Sequence, residues 1–238
     1  MLAGRALWRA NVEALRAVAT PVVVELYGHG RSPSPTDPAA YRPAAYVAAF
    51  ERIREGLGVA RWYLLGQSLG AALTLRYVFE HGDRVIAHLF TNSASALAGD
   101  QWRTTVNAAV EAEAARVAER GIPYLERTRV NPARSHRIVP EVRDALAADV
   151  PLLQPAGIAA TLRFTTPRTS LRDKVSGNPR PALLVAGRRE KSFAEPARFV
   201  ETTMPHLSVK RVDAGHSPNA EVPDQFNALA VEFLASNR

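Results

Sequence analysis

The stretch Trp62-Tyr63-Leu64-Leu65-Gly66-Gln67-Ser68-Leu69-Gly70-Ala71-Ala72 constrains this chain more than any other. An apolar run of strand character meets Gly-x-Ser-x-Gly, and a helix-forming run follows at once. So tight a strand-to-helix turn forces its central serine into a strained backbone conformation. It leaves room only for very small neighbours, which Gly66 and Gly70 supply. Ser68 is therefore expected at the carboxyl edge of a sheet, with its hydroxyl at the positive N-terminus of the helix that follows.

The rest of the chain has the alternation such a sheet needs. Residues 5 to 19 place Trp8, Val12, Leu15 and Ala19 on one helical face. Pro21 to Tyr27 is a short β-branched run with the look of a buried parallel strand, closed by the breaker-rich loop Gly28-His29-Gly30-Arg31-Ser32-Pro33. A helical pattern covers 41 to 57, the elbow helix runs to about His81, and Arg84 to Thr91 is a further strand. From about Ser95 to Val175 strand signals vanish and Ala, Arg and Glu recur in helical spacing, interrupted by Gly121 and several prolines. Alternation then resumes: strand 181–187, helix 195–203, strand 207–213 and helix 223–234. The expected fold class is α/β, a mostly parallel sheet covered by helices on both faces. Its core comprises 1–95 and 176–238, and residues 96–175 form a helical cap.

Composition removes several classes of function. The 238 residues contain no cysteine, which excludes disulfides, thiolate metal sites and a cysteine nucleophile. The net charge of +7 is carried almost wholly by arginine, yet no dense basic run with interleaved aromatics occurs. A nucleic-acid partner is therefore not expected, whereas attraction of a small anionic substrate is consistent with the charge. No apolar run approaches the roughly 18 residues of a membrane span. The N-terminus lacks the apolar core and cleavage site of a secretory signal. A cytoplasmic protein without a membrane partner, metal or organic cofactor is expected.

A serine hydroxyl near neutral pH needs an imidazole to take its proton and an acid to orient that imidazole. His216, in Asp213-Ala214-Gly215-His216-Ser217-Pro218, follows the last strand at the same sheet edge as the elbow. Glu190, in Gly187-Arg188-Arg189-Glu190, follows a buried strand at its carboxyl end and is the expected acid. The other place for an acid, the end of the strand before the cap, holds Asn92, whose amide cannot stabilise an imidazolium as a carboxylate does. Asp213 lies too close to His216 in the chain to serve. The backbone N–H of Leu69 is the first expected oxyanion donor. His29, Gln67 and Asn92 are candidate pocket residues.

Taken together, Gly28-His29-Gly30-Arg31-Ser32, Gly66-Gln67-Ser68-Leu69-Gly70, Glu190 after the strand ending at Gly187, and Ala214-Gly215-His216-Ser217-Pro218 resemble the α/β-hydrolase superfamily over nearly the whole chain. Within it the small single-cap members are most similar: carboxylesterases, lactonases, meta-cleavage-product hydrolases and the menaquinone-pathway synthase that eliminates pyruvate. Gly187 to Phe193 is similar to the acid loop of that synthase, with Glu in place of Asp. The resemblance also implies that Leu2 stands about where the second oxyanion donor lies, with Gly4-Arg5-Ala6-Leu7-Trp8 leading into the first helix.

One departure from the superfamily bears on the site. The resemblance implies a central strand between the strand at 22–27 and the elbow strand, and no segment of this chain supplies it. Three arrangements would answer the gap: an N-terminally truncated chain, which is favoured, a strand from another chain, or direct pairing of the two flanking strands. The function expected is hydrolysis of a small carboxylic ester or thioester through an acyl-enzyme on Ser68. The same triad serves C–C cleavage or pyruvate elimination in related enzymes, and a non-catalytic binding protein is the third alternative. Cap arginines Arg116, Arg127 and Arg163 are candidates to meet an anionic substrate.

Overall fold

A computed structural model describes all 238 residues. Four parallel strands, β1 (Trp62–Gly66), β2 (Val85–Thr91), β3 (Ala182–Gly187) and β4 (Leu207–Val212), form one sheet in that spatial order. The register sets Gly66 beside Phe90, Phe90 beside Leu184, and Leu184 beside Val209. The interior strands β2 and β3 are almost wholly apolar and buried, as strands covered on both faces must be. β4, an edge, carries Lys210 and Arg211 toward solvent, the usual protection of an exposed strand.

Helices α1 (Pro43–Gly56) and α2 (Leu69–Glu80) follow the chain up to and through the elbow. Between β2 and β3 lie helices only, chiefly α3 (Asp100–Arg127), α4 (Pro140–Asp149) and α5 (Pro155–Ala160). α3 is broken at Gly121 (φ 58°), two residues before Pro123. After β3 come α6 (Ala194–Thr203) and, last, α7 (Pro223–Ala235). One core layer joins α2 and α6 to the sheet through Leu75, Phe90, Leu184 and Val200. On the other face Phe226, Ala230 and Leu234 of α7 pack on Leu89, Leu183 and Val185. The helices between β2 and β3 have their own cluster, in which Ala114, Val117 and Ile158 close over Leu2. No single helix is long and apolar enough to cross a membrane.

Two expectations are corrected. The helix expected over 5–19 is two short pieces, a 3-10 turn at Arg5–Trp8 and one α-turn at Val12–Leu15. Its apolar face packs as the spacing requires, with Trp8 against Phe226 at 6.1 Å between ring centroids. The break is held by side chains instead: Asn11 donates to the Asn219 carbonyl at 2.9 Å, and Asn219 donates to that of Leu7 at 3.0 Å. The strand expected over 21–27 is extended backbone without a partner, and Val22 to Val24 make no backbone hydrogen bond. Direct pairing of this segment with β1 does not occur, because β1 pairs only with β2. A cleft of about 620 Å³ separates the two, lined by Val22, Val23 and Val24 on one side and by β1 on the other.

Candidate active site

Ser68 sits between β1 and α2 with φ 52° and ψ −116°, a conformation that L-residues adopt only where the surroundings enforce it. Gly66 makes the turn possible. A Cβ there would come within 2.4 Å of Thr74 Oγ1 and 2.5 Å of the Ala71 Cα. Gly70 has open space around a Cβ position, so the expectation that both glycines are sterically required holds for Gly66 alone. The elbow is braced from the turn after β2, where Ser93 Oγ donates to the Ser68 carbonyl at 2.7 Å.

The structure brings the three expected side chains together. Ser68 Oγ lies 2.8 Å from His216 Nε2, and His216 Nδ1 lies 3.0 Å from both carboxylate oxygens of Glu190. With Nδ1–H donated to Glu190, Nε2 is the acceptor for the serine proton. Burial works to raise the Glu190 pKa, but hydrogen bonds from His216 and Asn92 and the charge of His216 outweigh it and hold the carboxyl below its usual value. The competing acid is occupied: Asp213 forms an ion pair with Arg189, whose Nε lies 2.7 Å from Oδ1. That pairing also leaves Glu190 free for His216.

Asn92 is not a pocket residue. It is fully buried at the end of β2 and ties three elements together. Its Nδ2 donates to Glu190 Oε2 at 2.7 Å and lies 3.2 Å and 3.3 Å from the carbonyls of Gly187 and Gly215, while its Oδ1 accepts the Gly187 N–H at 3.0 Å. The acid loop and the histidine loop approach so closely that a Cβ on Gly187 would lie 1.9 Å from the Gly215 carbonyl oxygen. Glu221 completes the histidine loop by accepting the N–H groups of Gly215 at 2.7 Å and Ser217 at 3.0 Å. Sequence reasoning missed Glu221, whose only signal was an acid shortly after the histidine.

His29 is also corrected. It is buried on the cleft beside β1 rather than in the pocket of Ser68, and burial lowers its pKa to about 4. Gln67 does line the pocket, where its Nε2 donates to the His216 carbonyl at 3.1 Å and Ser217 Oγ at 3.2 Å. The Leu69 N–H opens α2 beside Ser68, and neither it nor the Leu2 N–H has an acceptor in the protein. Leu2 itself is buried with φ 60°. The pocket, about 800 Å³, is lined by Ser68, His216, Met1, Trp102, Arg129 and Arg134 among others. The arginines singled out from the sequence lie elsewhere. Arg116 pairs with Glu113 and Arg163 with Glu111, and neither these two nor Arg127 lines the pocket. No group of three or more histidine, aspartate or glutamate side chains is arranged to hold a metal ion.

Residues 1–223 match the family described as alpha/beta hydrolase fold. The chain belongs to the α/β-hydrolase fold family. Solved members of similar shape include MenH from S. aureus, with a TM-score of 0.84 at 16% identity, covering 100% of this chain and 91% of that one. The enol-lactonase from Burkholderia xenovorans LB400 superposes with a TM-score of 0.68 at 22% identity, over 98% of this chain and 88% of that one. At these identities the likeness concerns the α/β-hydrolase fold. The (lyso)-N-acylphosphatidylethanolamine lipase of Mus musculus is 38% identical over 84 residues, 34% of this chain. This α/β-hydrolase chain thus matches about a quarter of the length of that curated relative (25%).

Proposed function

We propose that this α/β-hydrolase is a serine hydrolase that cleaves a carboxylic ester or thioester of a small molecule through an acyl-enzyme. The observation that supports it is the unbroken hydrogen-bonded line from Ser68 Oγ through His216 to Glu190, set in a pocket beside an unengaged helix N-terminus. Ser68 Oγ attacks the carbonyl carbon as its proton passes to His216 Nε2. Glu190 holds the imidazole and offsets the positive charge it acquires. The N–H groups of Leu69 and Leu2 receive the negative oxygen of the tetrahedral intermediate. Collapse breaks the bond to the leaving alcohol or thiol, which takes the proton from His216. Water then adds to the acyl-serine by the same steps, with His216 again as base.

The pocket also supports a substrate class. Its lining sets polar and basic side chains among apolar surface, and the basic ones, Arg129 and Arg134, make no ion pair with a carboxylate. A small acid or ester bearing a second, anionic group suits that lining.

Labelling with a fluorophosphonate tests the reading. Wild type is expected to label and Ser68→Ala to stay unlabelled, with p-nitrophenyl esters turned over only by wild type. Equal labelling of the two proteins would refute it. Turnover of vinylogous diketones without ester hydrolysis would move the same triad to C–C cleavage.

A further inference from the structure

Two loops meet at the candidate site, the elbow from Gly66 to Gly70 and the histidine loop from Gly215 to Ser217. Apart from the reactive pair, Ser68 Oγ and His216 Nε2, the hydrogen bonds between them come from a single side chain. Gln67, the residue immediately before the nucleophile, directs Nε2 to the His216 carbonyl at 3.1 Å and to Ser217 Oγ at 3.2 Å. A carbonyl oxygen can only accept, so the amide is turned with its nitrogen toward His216, and both of its N–H groups are engaged.

The other ties on the histidine loop do not reach the elbow. Glu221 accepts the N–H groups of Gly215 and Ser217, but it lies only four residues beyond Ser217 in the same stretch of chain. Asn92 approaches the Gly215 carbonyl at 3.3 Å and otherwise serves the acid loop. Of the side chains that hold this loop, only Gln67 also belongs to the elbow. Packing does little in its place, because the His216 side chain is 48% exposed.

The bridge matters most once Ser68 is acylated. In the free protein the imidazole is held at both nitrogens, by Glu190 at Nδ1 and by Ser68 at Nε2. Acylation turns Ser68 Oγ into an ester oxygen without a proton, and the bond at Nε2 is lost. Water then gives a proton to that same Nε2 as its oxygen adds to the acyl carbon. The tetrahedral adduct breaks its bond to Oγ, Ser68 recovers the proton from His216, and the acid leaves. A ring tied at one nitrogen, on a loop that nothing holds against the elbow, loses this geometry, and a misplacement of about 1 Å costs about a hundredfold in rate.

We propose that Gln67 is a positioning residue for His216, keeping the imidazole against the acyl-serine while water is activated. It acts through the histidine loop, and it governs deacylation more than acylation. The inference rests on the reading of Ser68 as the residue that carries the acyl group.

Two variants and two measurements test it. Gln67→Met keeps the length of the side chain without its donor, and Gln67→Glu keeps its shape with no donor at neutral pH. In rapid mixing with p-nitrophenyl acetate, each is expected to slow deacylation about tenfold and acylation less than about threefold, so that acyl-enzyme accumulates. Equal loss in both steps, or wild-type deacylation in either variant, overturns the proposal. The second measurement needs no turnover. Exchange of the His216 Nδ1–H proton with water is followed by NMR in wild type, Gln67→Met, Ser68→Ala and the double variant, Ser68→Ala removing the bond at Nε2 as acylation does. Gln67→Met is expected to quicken exchange about tenfold more in the Ser68→Ala protein than in wild type. Equal effects in the two backgrounds overturn the inference. A wild type that neither labels with a fluorophosphonate nor turns over the ester removes the hydrolase reading, and the exchange comparison then decides the role of Gln67 by itself.

Discussion

Asn92→Asp replaces an amide by a carboxyl group of nearly the same shape at the point where three elements meet. In the native site Nδ2 donates to Glu190 Oε2 at 2.7 Å, and no solvent reaches Asn92. The variant sets two carboxyl groups at that distance, so they cannot both ionise cheaply and one proton is retained between them. If the pair's upper pKa rises by about 3 units, full ionisation costs about 4 kcal/mol. Lost donation to the Gly187 and Gly215 carbonyls adds about 1 kcal/mol each at any pH. An acid whose pKa is raised by folding contributes stability that is present below its unfolded value of about 3.9 and is lost as pH rises through the folded value. The stability deficit of Asn92→Asp relative to wild type is therefore smallest near pH 4, grows between about pH 4 and 7, and is flat above. Urea midpoints for both proteins at half-unit pH steps measure it. A deficit independent of pH would refute the contact between Asn92 and Glu190 on which the geometry of the acid depends.

Gly187→Ala should cost about 3 kcal/mol and abolish fluorophosphonate labelling, because its Cβ meets the Gly215 carbonyl oxygen and drives the histidine loop away from Glu190. Wild-type labelling in that variant would show that the loop yields without consequence. Burial lowers both His29 and His88 to about 4, so between pH 6.5 and 5 the unfolded chain takes up protons that the fold refuses. Stability falls with pH across that window by about 2 kcal/mol for each histidine, and His88→Gln should remove half of the slope measured by urea unfolding. Arg129→Gln should raise KM for a carboxylate-bearing ester severalfold and leave that of its neutral analogue unchanged; equal effects on both would remove Arg129 from recognition.

Where pattern and packing agree, the sequence was legible. The runs of β2, β3 and β4, the elbow, and the loops carrying Glu190 and His216 lie where their local signals put them. Residues 21–27 failed for a physical reason. Their β-branched run is as strand-like as that of β3, but a strand exists only with a neighbour, and pairing is decided far away in the chain. The helix expected over 5–19 kept its apolar face and lost its continuity to asparagines more than 200 residues apart, Asn11 and Asn219. At Asn92 the position was legible as a place for an acid. Its actual role was not, because its partners, the end of β3 and the histidine loop, lie 95 and 123 residues further on. Gly70 shows the opposite error, since the pentapeptide pattern implied a steric need that the space around it does not impose.

The central claim is that Ser68 carries the acyl group. Intact-mass analysis of the chain quenched during turnover of p-nitrophenyl acetate, followed by peptide mapping, tests it most directly. A single acetyl group on Ser68, more abundant in Glu190→Gln if that change slows deacylation more than acylation, and absent from Ser68→Ala, is the predicted result. Acetylation spread over lysines with Ser68 unmodified, or an acetylated Ser68→Ala protein that still hydrolyses the ester, would contradict it.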